Sequence, residues 1–268
     1  MEDNAVTETT PPFHDRVVVV TGGGAGIGKA FAVLAAAGGA TVVFLESDKA
    51  LGEETRRLIE DAGGTARFIR TDVTDEAQVA AAFSAVEEEH GRLDVLHNNV
   101  GGSTEFDGPI DSIDEATWVA AQDLNLKSIF NCCKHGVPIM ARSGGGSIIN
   151  MSSIVALRGA WPIHAYTAAK GGVISLTQVL AARYAADGIR VNAVAPGMVM
   201  TERVQQRLDA AGGDRTFGSN TVSNLEELYP YSISQPEDIA KIVAFLASDD
   251  SRAINATTIT ADGGLSAY

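Results

Sequence analysis

The sequence predicts an α/β fold in which a single domain contains a doubly wound parallel sheet of about seven strands, flanked by helices. Short runs of β-branched residues alternate with longer alanine-rich segments along nearly all of the 268 residues. Several of these runs are apolar at successive positions, which is typical of parallel strands buried on both faces. The alternation predicts right-handed crossovers and no second domain.

The strands are expected in order along the chain, each followed by a helix. The strands are predicted at residues 16–21, 41–46, 66–71, 93–98, 147–151, 189–194 and 257–260. The helices are predicted at residues 27–37, 49–62, 76–90, 113–142, 165–186 and 236–247. Ser112 and Glu115 form a capping-box pattern at the start of the fourth helix, and Pro236 suits the first turn of the last one.

Composition limits the classes of function. The formal net charge is −14, which argues against nonspecific binding to nucleic acid and against an anionic membrane surface. No apolar run is long enough to span a bilayer. Cys132 and Cys133 are adjacent, so they predict buried, reduced thiols in a cytoplasmic protein, and we place no metal site in the chain.

Two segments lack periodicity. Residues 1–14 are polar and acidic and lack the pattern of a signal peptide, so we expect a flexible lead-in before a domain at 15–268. Residues 200–235 read as a long loop, and such a loop in a compact domain is often a functional lid.

A glycine-rich turn follows the first strand. Glycines allow a backbone to approach a pyrophosphate, and the N-terminus of the next helix offers free N–H groups and partial positive charge. The candidate cofactor-binding residues in this turn are Gly22, Gly24, Ala25, Gly26, Ile27 and Gly28.

The next three strand ends carry further candidates. Glu46 lies about twenty residues beyond the turn, where a carboxylate accepts hydrogen bonds from an adenosine ribose and repels a 2′-phosphate. With no Lys or Arg at residues 23–25 or at residue 47, Glu46 favours NAD over NADP, and the alternative is a solvated glutamate. Asp72 and Val73 could contact adenine, although Asp72 could instead form an Asx turn. Asn99, Val100 and Gly101 are candidates after the fourth strand, with a purely structural role for the asparagines as the alternative.

Tyr166 and Lys170 are spaced for one face of a helix. A nearby ammonium favours phenolate, so Lys170 is expected to lower the pKa of Tyr166 from about 10 and make it a usable acid or base. Ser153 lies thirteen residues before the tyrosine. An ordinary surface pair is the alternative for Tyr166 and Lys170, and turn capping is the alternative for Ser153.

These motifs, in this order, resemble the short-chain dehydrogenase/reductase family over about residues 15–268. The likeness rests on Thr21 to Gly28, on Asn98-Asn99-Val100-Gly101 with Val in place of the usual Ala, and on the Ser153, Tyr166 and Lys170 set. Asn125, the Pro196 to Thr201 segment and Asp262-Gly263-Gly264 also match the family pattern.

The resemblance implies a Rossmann-type fold and hydride transfer between nicotinamide and a carbon bearing a hydroxyl. It implies that Tyr166 is the general acid/base, that Ser153 orients the substrate oxygen, and that Lys170 lowers the tyrosine pKa and holds the nicotinamide ribose. Asn125 would support a proton-carrying water chain, with a helix kink as its alternative role. Family residues near the nicotinamide match Tyr166, Lys170, Pro196, Gly197, Val199 and Thr201. The resemblance also implies a homotetramer built on the two long helices.

The substrate residues are expected around 155–164 and 200–235. Ser153, Trp161, His164 and Met198, with Tyr229 or Tyr231, predict a pocket for a hydrophobic, cyclic secondary alcohol or ketone. A solvent-facing His164 is the alternative for that residue. The chain ends resemble bacterial cyclic-ketone reductases of the levodione reductase type. A 3-oxoacyl reductase, a sugar dehydrogenase and a nonenzymatic dinucleotide-binding sensor remain alternatives.

Overall fold

The computed structural model describes residues 12–104, 106–159, 161–210, 216–217, 220–221 and 231–267. The strands are β1 Val17–Thr21, β2 Thr41–Glu46, β3 Thr65–Arg70, β4 Val95–Asn98, β5 Gly146–Met151, β6 Ile189–Pro196, β7 Met198–Val199, β8 Thr216–Phe217, β9 Asn220–Thr221, β10 Ile233–Ser234 and β11 Thr258–Ala261. The helices are α1 Gly26–Ala37, α2 Lys49–Asp61, α3 Glu76–His90, α4 Glu115–Gln122, α5 Ser128–Arg142, α6 His164–Tyr184, α7 Glu202–Ala210 and α8 Pro236–Ala247.

Seven parallel strands form one sheet in the order β11-β6-β5-β4-β1-β2-β3. This arrangement confirms the predicted doubly wound fold. The strand order reverses between β1 and β4, so the loops that follow these two strands diverge to opposite faces. A crevice therefore opens at the carboxyl ends of β1 and β4, which is where ligands bind in sheets of this type.

Two apolar clusters, one on each side of the sheet, form the core. Phe13 belongs to the second cluster, since it is 1% exposed and its ring meets Phe31 edge-on at 6.3 Å. Ordered packing thus begins before residue 15, and the earlier part of the predicted lead-in, residues 1–11, lies outside the described residues. Cys132 and Cys133 are both buried, and burial raises the pKa of the Cys133 thiol to about 12.

The predicted helix over 113–142 is interrupted. A π-helical turn, Asp123–Lys127, separates α4 from α5. The predicted capping box is wrong, because α4 begins at Glu115 and its N-cap is Asp114, whose carboxylate accepts from the Thr117 N–H at 2.8 Å. Ser112 lies too early to cap the helix and instead donates to the Pro109 carbonyl at 2.8 Å. Pro236 does occupy the first turn of α8.

Part of the segment predicted as a loop, residues 200–235, is regular. It contains α7, and β10 pairs in parallel with β7. Leu208 is buried while most of its neighbours on α7 are exposed. The amphipathic pattern of α7 is too short to be recognised as a periodicity in the sequence. Among the described residues, no helix has the length and hydrophobicity needed to cross a membrane.

Candidate active site

The glycine turn closes the carboxyl end of β1. Gly22 has φ +66°, a conformation that L side chains rarely adopt, and a Cβ at Gly28 would lie 2.2 Å from the Gly22 carbonyl oxygen. The turn therefore passes directly against the first turn of α1. Ala25 is the N-cap of α1 and supplies no side-chain hydrogen bond, so the first N–H groups of this helix remain available to a ligand.

A cleft of about 660 Å³ opens over this turn. Twelve of the predicted cofactor residues line it: Gly22, Gly24, Ala25, Gly26, Ile27, Glu46, Asp72, Val73, Asn99, Val100, Gly101 and Thr201. The structure thus gathers residues from four strand ends at one crevice. Gly28 lies just behind the turn, and Tyr166, Lys170, Pro196, Gly197 and Val199 are not among the lining residues of the cleft.

Glu46 connects the turn to the end of β2. Its Oε2 accepts from the Gly24 N–H at 3.2 Å, and its Oε1 accepts from the Asp48 N–H at 3.0 Å. The carboxylate is therefore held in place by backbone while it lines the cleft. Asp72 does form the Asx turn, since its Oδ1 accepts from the Thr74 N–H at 2.9 Å, and it lines the cleft as well.

The two asparagines at the end of β4, Asn98 and Asn99, form hydrogen bonds within the protein. Asn98 donates to the Asn150 Oδ1 at 2.8 Å, and Asn99 donates to the Thr21 carbonyl at 3.1 Å. The Thr21 Oγ1 in turn accepts from the N–H groups of Asn99 and Val100 at 2.9 and 3.1 Å. These bonds favour the structural alternative for both side chains, although Asn99 also lines the cleft.

Ser153 and Tyr166 meet at the carboxyl end of β5. Tyr166 lies in the first turn of α6, and its phenol interacts with the Ser153 hydroxyl, whose Oγ also accepts from the Val155 N–H at 3.4 Å and so caps the turn Ile154–Ala156. Ser152 instead donates to the backbone carbonyl of Lys170 at 2.9 Å. The two adjacent serines are thus separated by role: Ser153 contacts the phenol, and Ser152 anchors α6 to the sheet.

Lys170 is 2% exposed, and its Nζ donates to the Met151 carbonyl at 2.8 Å. The ammonium lies 5.6 Å from the centre of the Tyr166 ring. Burial, assisted by the charge of Arg203, lowers the pKa of Lys170 to about 7. The amine therefore changes its protonation state near neutral pH.

The expected lowering of the Tyr166 pKa does not occur. Burial raises it, while the Ser153 hydrogen bond and the positive charge of Arg203 act in the opposite direction without reversing the effect. The expectation was wrong because burial disfavours the phenolate and also the charged form of Lys170 itself, and helix spacing gives no information about burial.

Asn125 lies in the π-helical turn and is fully buried. Its Oδ1 accepts from the Gly102 N–H at 2.8 Å, and its Nδ2 donates to the carbonyls of Gly102 and Ala121 at 3.1 and 3.0 Å. A Cβ at Gly101 would lie 2.7 Å from both the Asn125 Oδ1 and the Lys170 Nζ, so the two groups converge on one glycine. Asn125 therefore stabilises the helix kink and also lies beside the buried amine.

The segment after β6 completes the cleft. Pro196 ends β6, and the Gly197 N–H donates to the Ala261 carbonyl at 3.0 Å. Val199 is buried in β7. Thr201 caps α7 by accepting from the Val204 N–H at 3.3 Å, and its Cγ2 lies 3.0 Å from the position that a Cβ at Gly26 would take. Thr201 thus closes over the glycine turn.

Residues 22–266 match the family model described as enoyl-(acyl carrier protein) reductase. The chain is 40% identical over 257 residues to cis-4-hydroxycyclohexanecarboxylate dehydrogenase of Sinomonas cyclohexanicum, covering 95% of this chain and 98% of that one. It is 35% identical over 268 residues to levodione reductase of Leifsonia aquatica, covering 98% of both chains. The protein belongs to the short-chain dehydrogenase/reductase family. A crystal structure of levodione reductase superposes with a TM-score of 0.86 at 34% identity, covering 95% of this chain and 99% of that one.

Members of the short-chain dehydrogenase/reductase family use nicotinamide cofactors, and the residues present here fit such a group. The uncapped start of α1 and the glycine turn that lines the cleft suit a pyrophosphate, because the free N–H groups of the helix N-terminus attract an anion. Glu46 lines the same cleft, and the Lys170 Nζ lies beside Gly101, which also lines it. No group of three or more His, Cys, Asp or Glu residues suited to a metal ion occurs in the described part of the chain.

The predicted substrate residues are less concentrated. Met198 is buried against Met200, Ile233 and Leu265, and Trp161 is half-buried. His164 is the exposed first residue of α6 and accepts from the Ile110 N–H at 3.0 Å, which favours the solvent-facing alternative. Tyr231 is 78% exposed, and Tyr229 lies outside the described residues.

Two functional candidates were missed from the sequence. Asp107 accepts from the N–H groups of Ala165 and Tyr166 at 3.1 and 2.9 Å, so a carboxylate from a distant loop caps the helix that carries the tyrosine. Arg203, at the start of α7, donates to the Gly101 carbonyl at 3.3 Å. Neither residue stands in a recognisable local pattern, because each contact joins segments at least 58 residues apart.

Proposed function

We propose that the chain is an NAD(H)-dependent oxidoreductase that interconverts a hydrophobic, cyclic secondary alcohol and its ketone. One observation carries the proposal. Ser153, Tyr166, Lys170 and Asn125 lie close together at the carboxyl ends of β4 and β5, beside a cleft lined by the glycine turn and Glu46. The relatives named for a hydroxycyclohexanecarboxylate and for levodione support a cyclic substrate.

The bound dinucleotide supplies the hydride acceptor or donor. In oxidation, Tyr166 passes its phenolic proton to the neutral amine of Lys170 and, as the phenolate, accepts the proton of the substrate hydroxyl, while Ser153 holds the same oxygen by a hydrogen bond. In reduction, the raised pKa of Tyr166 suits it as a proton donor to the carbonyl oxygen. Lys170, with a pKa of about 7, exchanges protons with the phenol and with solvent beyond Asn125.

The proton-transfer role is tested by Tyr166→Phe, which keeps the ring and removes only the hydroxyl. Turnover should fall by at least about a hundredfold, the usual scale for a lost general acid or base. NADH binding, followed by fluorescence titration, should change little. Tyr184→Phe, at the end of the same helix, is the matched control and should keep its activity. Near-normal turnover in Tyr166→Phe would remove the phenol from the mechanism.

Cofactor choice rests on Glu46, whose carboxylate is fixed by backbone in the cleft and would repel a 2′-phosphate. The native protein should have the higher kcat/KM with NAD. Glu46→Ser combined with Ser47→Arg should shift preference toward NADP by removing repulsion and adding a phosphate partner. Asp61→Ser, an exposed carboxylate at the end of α2, is the control. A native preference for NADP would contradict the assignment.

The proposed assembly is a homotetramer. Apolar side chains on α4, α5 and α6 remain exposed in a single chain: Trp118 at 37%, Val119 at 47%, Phe130 at 49% and Val179 at 60%. Loops of the same chain therefore leave them uncovered, and a second copy with twofold symmetry would bury them. Sedimentation at micromolar concentration should give about four chains per particle, and Val179→Lys should give smaller species. A native monomer would refute the proposal.

A further inference from the structure

Arg203 lines the cleft, and Arg207 lies one turn later on α7. The Arg203 Nη2 donates to the Gly101 carbonyl at 3.3 Å and lies 2.1 Å from the position that a Cβ at Gly102 would take. Arg207 donates to the Ser103 carbonyl at 2.8 Å and to its hydroxyl at 3.3 Å. The two guanidinium groups therefore contact residues 101–103, which follow the end of β4.

Neither positive charge is neutralised by a carboxylate among the described residues, since the acceptors are neutral oxygens. Six other arginines have a carboxylate partner among the described residues: Arg16 with Asp249, Arg56 with Glu53 and Glu60, Arg67 with Glu89, Arg92 with Asp94, Arg142 with Glu87, and Arg183 with Asp187. Burial and the neighbouring charge of Arg207 lower the pKa of Arg203. Two like charges held this close are stabilised by an anion, and a guanidinium has five N–H donors, most of them still unused here.

The anion could belong to the dinucleotide or to the substrate, and the contacts favour the substrate. Thr201 is the residue that lies against the glycine turn, where the pyrophosphate is expected. Arg203, two residues later, lines the same cleft, but its guanidinium contacts Gly101 and Gly102, and a Cβ at Gly101 would lie 2.7 Å from the Lys170 Nζ. The guanidinium is therefore on the side of the cleft that holds the proton-transferring groups.

We infer that Arg203 and Arg207 form a subsite for a carboxylate carried by the alcohol, so that the substrate class is a cyclic hydroxy acid and its oxo acid. This inference rests on the proposed oxidoreductase function. A planar guanidinium binds a carboxylate through two parallel hydrogen bonds, which fixes the orientation of the ring as well as its charged end. With the carboxylate held at α7, the hydroxyl on the far side of the ring would face Ser153 and Tyr166.

The test compares 4-hydroxycyclohexanecarboxylate with 4-methylcyclohexanol, which has the same ring and no charge. In the native protein kcat/KM should be higher for the acid. Arg203→Met should lower the ratio of the two kcat/KM values by at least about tenfold, the scale of a hydrogen bond to a charged group. Arg203→Lys should retain part of the ratio because it keeps the charge and loses the fork. Arg252→Met, an exposed arginine beyond α8 at the amino-end edge of the sheet, should leave the ratio unchanged.

Three results would overturn the inference. One is an unchanged ratio in Arg203→Met. Another is an equal loss with both alcohols together with weaker NADH binding, which would assign the arginine to the pyrophosphate. If neither alcohol is oxidised, the proposed function fails, and calorimetry of cyclohexanecarboxylate with the protein–NADH complex tests the subsite separately. In this calorimetry, binding of cyclohexanecarboxylate that is weakened at least about tenfold in Arg203→Met would uphold the subsite. The third refuting result is that cyclohexanecarboxylate does not bind to the native protein.

Discussion

Replacing the buried amine of Lys170 by Lys170→Met should change how the free energy of unfolding depends on pH. The folded-state pKa is about 7, against an ordinary value of 10.5. Between these values the unfolded chain holds a proton that the folded chain has lost, so the contribution of Lys170 to stability rises with pH. Its cost is fully present below pH 7 and disappears above about 10.5.

The magnitude follows from the size of the shift. Each pKa unit corresponds to about 1.4 kcal/mol, so burial of the proton-binding amine costs roughly 4 kcal/mol at pH 7.5 and roughly 1.5 kcal/mol at pH 9.5. The free energy of unfolding of the native protein, minus that of Lys170→Met, should therefore rise by about 2.5 kcal/mol between these pH values. The other titrating groups are present in both proteins and cancel in the difference at each pH. The lost hydrogen bond to the Met151 carbonyl changes the difference by the same amount at every pH.

The assay is urea unfolding of the cofactor-free protein at one fixed protomer concentration, because oligomerisation makes apparent stability concentration-dependent. Lys241→Met removes a lysine whose side chain is 71% exposed, and its difference from the native protein should stay flat with pH. A difference for Lys170→Met that stays constant within about 0.5 kcal/mol from pH 7.5 to 9.5 would show that folding does not lower the pKa of Lys170.

Two further substitutions test the supports of the site. Gly28→Ala would bring a Cβ within 2.2 Å of the Gly22 carbonyl oxygen. Unfolding measurements should therefore show a loss of about 1–3 kcal/mol in stability, and titration should show weaker NADH binding. Gly159→Ala, with no atom within 4 Å of the added carbon, should change neither stability nor NADH binding. Asp107→Ala removes the carboxylate that caps α6 and should cost about 1 kcal/mol of stability and lower turnover, with Asp107→Asn less affected in both. Unchanged turnover in Asp107→Ala would remove that residue from positioning Tyr166.

The strands and the motif residues could be predicted because their signals are local. The apolar run of β1 followed by glycines, and the spacing of Tyr166 and Lys170, carry their meaning within a few residues. The sign of the Tyr166 pKa shift could not be predicted, because desolvation depends on every element packed around the phenol. His97 illustrates the same limit. Its position in β4 was predicted, but its imidazole is buried without a hydrogen-bond partner among the described residues, and burial lowers its pKa to about 3.

The interruption of the fourth helix and the roles of Arg203 and Asp107 could not be predicted from the sequence. The interrupted helix over residues 113–142 escaped prediction because a π-helical turn leaves the apolar pattern on either side intact. Arg203 gains its significance from a carbonyl 102 residues away, and Asp107 from N–H groups 58 and 59 residues away. Such contacts exist only after the sheet has brought the strand ends together.

The position of β1 in the sheet also constrains the order of folding during synthesis. β1 pairs with β2 on one side and with β4 on the other, and the Thr21 hydroxyl accepts from Asn99, 78 residues later. At about 5–20 residues per second, a ribosome needs several seconds to deliver β4 after β1. During that interval one edge of a strand composed almost entirely of valine lacks its partner, which is the period in which the nascent chain is most open to intermolecular strand pairing.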